Sequence, residues 1–137
     1  MLPVQHRLTR SGDFSAVMKG GTRAGTGTVV VAVRFYPHGE ASTSVPADGT
    51  RWRCGFVVSK AVGNAVIRHR TTRRLRHIIA QLLREEPQLL PQGGRTDIVV
   101  RALAEAPAAE HARLSGDVRS GLRRAVKKWH AREQESA

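Results

Sequence analysis

Six histidines, eleven carboxylates and one cysteine are the residues of this chain that could carry acid–base, metal or nucleophilic chemistry. Their spacing argues against a self-contained catalytic centre. His69 and His77 stand eight apart with no carboxylate between them, and neither H-E-x-x-H nor C-x-x-C occurs. Asp13, Glu40, Asp48, Glu85, Glu86 and Asp97 are scattered over loops and element ends, with no pair spaced for two-metal work. Strand alternation turns Cys54 toward a core, and no serine is set beside a base. Gly25-Thr26-Gly27 lacks the G-K-[ST] ending of a phosphate loop and precedes a strand rather than a helix. No intrinsic metal site and no catalytic residue are therefore expected.

What remains is arginine. Residues 59–77 hold Lys60, Arg68, Arg70, Arg73, Arg74 and Arg76, and no acid occurs from Gly49 to Arg84. Guanidinium groups fork onto phosphates and stack on bases. A helix this basic cannot neutralise itself through i,i+4 pairs, whereas a merely solvated face mixes signs. The stretch is expected to meet a polyanion, RNA or DNA.

Local signals predict the elements that position these side chains. Phe56-Val57-Val58 runs into Gly63-Asn64, a strand stop and then a helix start with Asn64 as N-cap. Ile67, Thr71, Leu75, Ile78 and Leu82 recur at helical spacing and predict a buried stripe. At about 100° per residue, His69, Arg70, Arg73, Arg76 and His77 fall opposite that stripe. Arg68 and Arg74 fall at its margins, where a stem can pack while its guanidinium reaches out.

Val62-Gly63-Asn64-Ala65-Val66, Arg68-His69-Arg70 and Arg73-Arg74-Leu75-Arg76 resemble the signature of the bacterial ribonuclease P protein component, roughly K-K-V-G-N-A-V-x-R-N-R-x-K-R-x-L-R. Ala61, His69 and Thr72 depart from it, replacing a Lys, an Asn and a Lys. Leu2-Pro3, Arg7-Leu8 and Asp13-Phe14 through Gly21 resemble the family's amino-terminal segment. The resemblance implies a protein subunit that binds a catalytic RNA and the 5′ leader of precursor tRNA, with Mg²⁺ bound mainly by the RNA. RNA-binding residues would be Lys60, Asn64, Arg68, His69, Arg70, Arg73, Arg74 and Arg76. The leader would lie along Phe14, Met18, Val30, Val57, Lys60 and Arg68. Met18 stands where an aromatic is usual, which weakens base stacking there.

The whole chain agrees with a nucleic-acid partner. It has 137 residues and a net charge of +12, with an isoelectric point near 11.6. No apolar run approaches the roughly 20 residues of a membrane span, and no signal-peptide core opens the sequence. One cysteine excludes an internal disulfide and fits the cytoplasm.

Read in order, residues 1–10 form an arm. Ser11 caps a short helix with Phe14, Val17 and Met18 on one face, and Gly20-Gly21 ends it. Thr28–Phe35 is a strand that could be buried on both faces; Arg34 favours one open face, with Val29, Val31 and Val33 inside and Val30, Ala32 and Arg34 outside. Residues 37–50 are a turn-rich connection. Arg51–Ser59 is a strand with Trp52, Cys54, Phe56 and Val58 inside; its open face carries Gly55, where an RNA backbone could approach closely. The central helix runs to about Arg84, and residues 89–96 are a loop. Asp97–Arg101 is the strand that closes a βαβ unit. Pro107 opens a last helix with Leu114, Val118, Leu122, Ala125 and Trp129 on its buried stripe. A flexible tail covers about 133–137. The expectation is one α+β RNA-binding domain with a mixed sheet and three helices, in the order α-β-β-α-β-α with room for an extra short strand. By the family resemblance its βαβ crossover is left-handed. A general RNA-binding or ribosomal protein of similar architecture fits the charge equally; only the V-G-N-A-V-x-R-x-R string separates the two.

Overall fold

A computed structural model describes residues 2–38 and 50–135. Most of the connection expected over 37–50, and the last two residues of the tail, lie outside them. Valine-rich segments form the sheet, whose strands are β1 (Thr22–Gly25), β2 (Val29–Pro37), β3 (Trp52–Val57) and β4 (Gly94–Ala102). Their spatial order is β1-β2-β4-β3. β2 runs antiparallel to both β1 and β4, and β3 runs parallel to β4. A parallel neighbour needs a crossover, and the helix α2 (Ala65–Glu85) supplies it. With α1 (Ser11–Gly20) and α3 (His111–Glu135) the architecture is the expected α+β domain, and β1 is the extra short strand.

The two faces of the sheet are covered unequally. On one face Val29, Val31, Val33, Cys54, Ile98 and Val100 join the apolar stripes of α2 and α3 in the main core. On the other, α1 lays Val17 over Ala32 and Val99 with Leu8, and Phe14, Met18 and Val57 pack around them. Ala32 is therefore buried, not open as its alternation had implied. Period-2 patterning gives the face of a residue but not whether a helix lies over it.

Charge also fixes α1 to the sheet. Buried Asp97 accepts two bonds from Arg53, at 3.0 and 2.7 Å, and two from buried Arg95, at 3.0 and 3.3 Å. Arg53 reaches on to Asp13 of α1 at 3.5 Å. Hydrogen bonding to Asp97 raises the Arg53 pKa above its ordinary value. Such a buried set is costly to break, because removing one partner leaves an uncompensated charge.

The residues before α1 lie along the outer edge of β3. Leu2 and Leu8 are buried, and the Leu8 amide donates to the Cys54 carbonyl at 3.1 Å. His6 stacks on Trp52 with ring centroids 3.9 Å apart, and its Nδ1 donates to the Trp52 carbonyl at 2.9 Å. At the opposite edge, α3 engages carbonyls of β1 and its flank: Arg124 on Gly25, Lys128 on Arg23 and Arg132 on Gly20. Both edges are thus blunted against strand addition.

Several boundaries differ from the sequence reading; β2 runs past Phe35 to Pro37, and β3 is shorter than Arg51–Ser59, spanning Trp52–Val57. Ser11 is the first helical residue rather than the cap, and Arg10 at the cap position makes no side-chain bond. Pro107 lies in turns ahead of α3, which starts at His111. β4 begins at Gly94, because Phe35, Tyr36 and Pro37 continue to pair with it beyond Asp97.

Candidate nucleic-acid interface

α2 begins where its sequence requires. Asn64 Oδ1 accepts from the Ile67 amide at 3.0 Å, closing the first turn. Gly63 has φ +153°, and a Cβ there would lie 2.8 Å from Ile67 Cγ2, so only glycine fits this entry. Thr71, Leu75, Ile78, Ile79, Leu82 and Leu83 are buried.

The opposite face is cationic and open. His69, Arg70, Arg73, Arg76 and His77 are all exposed. Among the described residues, Arg70, Arg73 and Arg76 make no hydrogen bond or ion pair. The two marginal arginines behave otherwise. Arg74 turns inward and donates to the carbonyls of Ala106, Pro107 and Ala109 at 3.3, 3.4 and 2.6 Å, tying α2 to the turns before α3. Its guanidinium does not reach out as the stripe geometry had implied. Arg68 is half-buried, and its Nε is buried without a hydrogen-bond partner among the described residues. Lys60 and Asn64 are exposed.

A second open surface follows from strand register. Val30 on β2 pairs with Arg101 on β4, and Val57 on β3 pairs with the same Arg101. This row lies one step beyond Ala32, Val99 and Gly55, where Val17 and Phe14 of α1 pack. Val30 and Val57 are half-buried and Arg101 is exposed. Arg101 was not among the residues singled out from sequence. Its signal was there, since it falls on the face of Asp97 and Val99 by simple alternation.

Phe14 and Met18 are half-buried on α1. The Phe14 ring lies directly over Gly55, where a Cβ would come within 2.2 Å of Cζ. The close approach at this glycine is therefore made by Phe14 and not left open for an RNA backbone. Phe14, Gly55, Phe56, Thr72 and Arg76 line a cleft of about 250 Å³, which joins α1 to the cationic face of α2. Of the six residues expected along the leader, Phe14 alone lines this cleft.

Cys54 is fully buried, and burial raises its thiol well above the ordinary range, which makes it a poor nucleophile. Among the described residues no three of His, Cys, Asp and Glu converge as metal ligands would. The arrangement can bind and orient an anion.

Comparison with known proteins agrees with this geometry. The family model described as Ribonuclease P matches residues 2–126. A ribonuclease P protein component of Corynebacterium glutamicum is 46% identical over 125 residues, covering 89% of this chain and 92% of that protein. One of Streptomyces avermitilis is 43% identical over 127 residues, covering 90% and 94%. In fold the chain is similar to the RNase P protein of Staphylococcus aureus, with TM-score 0.64 and 22% identity over 88% of this chain and 94% of that one. The RNase P protein from Thermotoga maritima is similar with TM-score 0.59 and 22% identity, over 82% and 90%. The match runs through the arm, the sheet and the helices alike, which sets aside a general RNA-binding module with only a borrowed motif. The chain belongs to the ribonuclease P protein component family.

Proposed function

We propose that this chain grips phosphates of a catalytic RNA with the outward face of α2, and that it holds the single-stranded 5′ leader of precursor tRNA on the uncovered sheet row beside α1. Family membership makes it the RNA-binding subunit of a ribonucleoprotein endoribonuclease. The two surfaces divide the labour between the RNA subunit and the substrate. Cleavage belongs to the RNA with its bound Mg²⁺, and the protein contributes affinity and position. A lone cysteine fits a reducing compartment, and the cytoplasm is the compartment proposed. No described helix is long and apolar enough to cross a membrane.

The contrast within α2 carries the reading. Arg74 has intramolecular acceptors, whereas Arg70, Arg73 and Arg76 have none among the described residues and stand exposed in an acid-free run. Cations kept apart from acids on a structured helix fit a partner that brings its own negative charge. For the leader, Phe14 offers a ring face for an unstacked base and Met18 an apolar contact, while Arg101, Lys60 and Arg68 offer cations for the backbone.

The test is the triple variant Arg70→Gln, Arg73→Gln, Arg76→Gln. Arg and Gln have similar helix propensity, so the fold should hold. Each lost phosphate contact removes roughly 0.7–0.9 from the slope of log K against log salt, so the slope for the catalytic RNA should shrink by about 2 to 3. A folded triple variant that keeps the original slope would show that these arginines touch solvent alone.

A further inference from the structure

One cavity reaches beyond both proposed surfaces, sharing only Arg76 and His77 with the outward face of α2. It opens between the amino-terminal segment and the carboxyl-terminal half of α2, and holds about 600 Å³, the size of an ordinary small-ligand site. Its walls are of two kinds. Leu2, Ala80 and Leu83 make an apolar floor, and the stacked His6–Trp52 pair makes an aromatic side. Arg76, His77 and Arg84 form the rim on α2, and no carboxylate of the described residues lines the cavity. Arg76, Ala80, Leu83 and Arg84 follow i, i+4, i+7, i+8 spacing and so share one helix face. The two arginines are about 12 Å apart along the axis, at opposite ends of the floor.

The unfilled bonding capacity is all of one character. Arg76 and Arg84 are exposed and have no hydrogen bond or ion pair among the described residues. His6 uses Nδ1 on the Trp52 carbonyl, which leaves Nε2 without a partner among those residues. A bare phosphate would not need the apolar floor, and a neutral apolar ligand would not need the two arginines. A flat heterocycle joined to phosphate uses both.

We propose that this cavity is a nucleotide slot, which takes an unstacked base beside the His6–Trp52 pair and the adjoining phosphates on Arg76 and Arg84. The inference rests on the RNA-binding reading and extends it to a second kind of contact, base stacking away from the leader row. The nucleotide can come from within an RNA strand or from the free pool, and the chemistry is the same.

Tryptophan fluorescence tests it. AMP and a single-stranded oligoribonucleotide of about eight residues are each titrated into the protein and into Trp52→Phe, Ala80→Leu and Arg84→Gln. Saturable quenching is expected in the parent chain and should vanish in Trp52→Phe, since Trp129 lies buried in α3. Ala80→Leu fills the floor without changing charge, so oligonucleotide affinity should fall about five- to a hundredfold with an unchanged salt slope. Arg84→Gln, on an exposed side chain, should keep the melting temperature and lower that slope by about 0.7. Quenching by AMP alone would assign the slot to free nucleotides, and quenching by the oligonucleotide alone would assign it to a nucleotide within a chain. Salt-dependent oligonucleotide binding without quenching, and with Arg84→Gln indistinguishable from the parent, would overturn the slot and leave the RNA-binding reading standing. No oligonucleotide or catalytic-RNA binding at all would remove both.

Discussion

Phe14 has two roles that pull its phenotype in different directions. Its ring covers Gly55 and packs against the small cluster of Leu8, Val17, Ala32 and Val99, yet it remains only half-buried. Phe14→Ala therefore removes packing and a stacking face together, and cannot separate them. Gly55→Ala does so better. A methyl placed there meets Phe14 Cζ at 2.2 Å and the Leu8 carbonyl at 3.0 Å, so the ring must swing off the sheet while remaining on the molecule. Overpacking of this kind costs about 1–3 kcal/mol, readable by urea denaturation. If the leader rests on the ring in its present place, Gly55→Ala should also weaken precursor tRNA binding to the holoenzyme, and spare mature tRNA. Equal affinity of parent and variant for precursor tRNA would show that the ring's position is immaterial to the leader. Sequence made Phe14 and Gly55 separately notable, on a helix and on a strand's open side. Their contact was not legible, because it joins residues 41 positions apart through the docking angle of α1.

At the scale of elements, Arg74 fastens α2 at one margin of its apolar stripe. It bonds three carbonyls in the turns that lead into α3, closing the seam between the two long helices. Hydrogen bonds involving a charged group contribute about 1.5–3 kcal/mol when lost. Arg74→Gln should lower stability by about that much, while the salt slope for RNA binding stays near the parent value. A variant with parental stability and a slope reduced by roughly 0.7–0.9 would return Arg74 to the phosphate-binding set. The helix itself was legible to within a residue, since its cap, stripe and stop are local signals. The inward turn of Arg74 was not, because Ala106, Pro107 and Ala109 present only backbone, and backbone carries no sequence signature. The same limit explains the late start of α3. Pro107 is a good first-turn residue, but the chain uses residues 103–109 for turns whose carbonyls receive Arg74.

For the whole molecule, positive charge outweighs every other feature, and it acts with opposite sign on folding and on binding. Twenty-three lysines and arginines against eleven acids leave the free chain at +12. Among the described residues, the ion pairs gather at two places, the Asp97 set with Asp13, and Arg119 with Glu86. Hydrogen bonding to Arg119 holds the Glu86 carboxyl below its usual range, so this pair is present at neutral pH and is lost as pH falls through the lowered value. It is exposed and sensitive to screening. Most of the remaining cations repel one another across the surface, which destabilises the compact state. Raising salt from about 20 to about 200 mM shortens the Debye length from roughly 20 to 7 Å and screens that repulsion. The melting temperature of the free protein should therefore rise over this range, while its affinity for RNA falls as counterion release becomes less favourable. The triple α2 variant, with three fewer positive charges, should show a smaller rise and a smaller fall together. Calorimetry of the free chain and filter binding of the complex, run in the same buffers, measure the two trends. A melting temperature that falls with salt would mean that the surface ion pairs outweigh the repulsion, and that the acid-free face of α2 carries no strain in the absence of its partner.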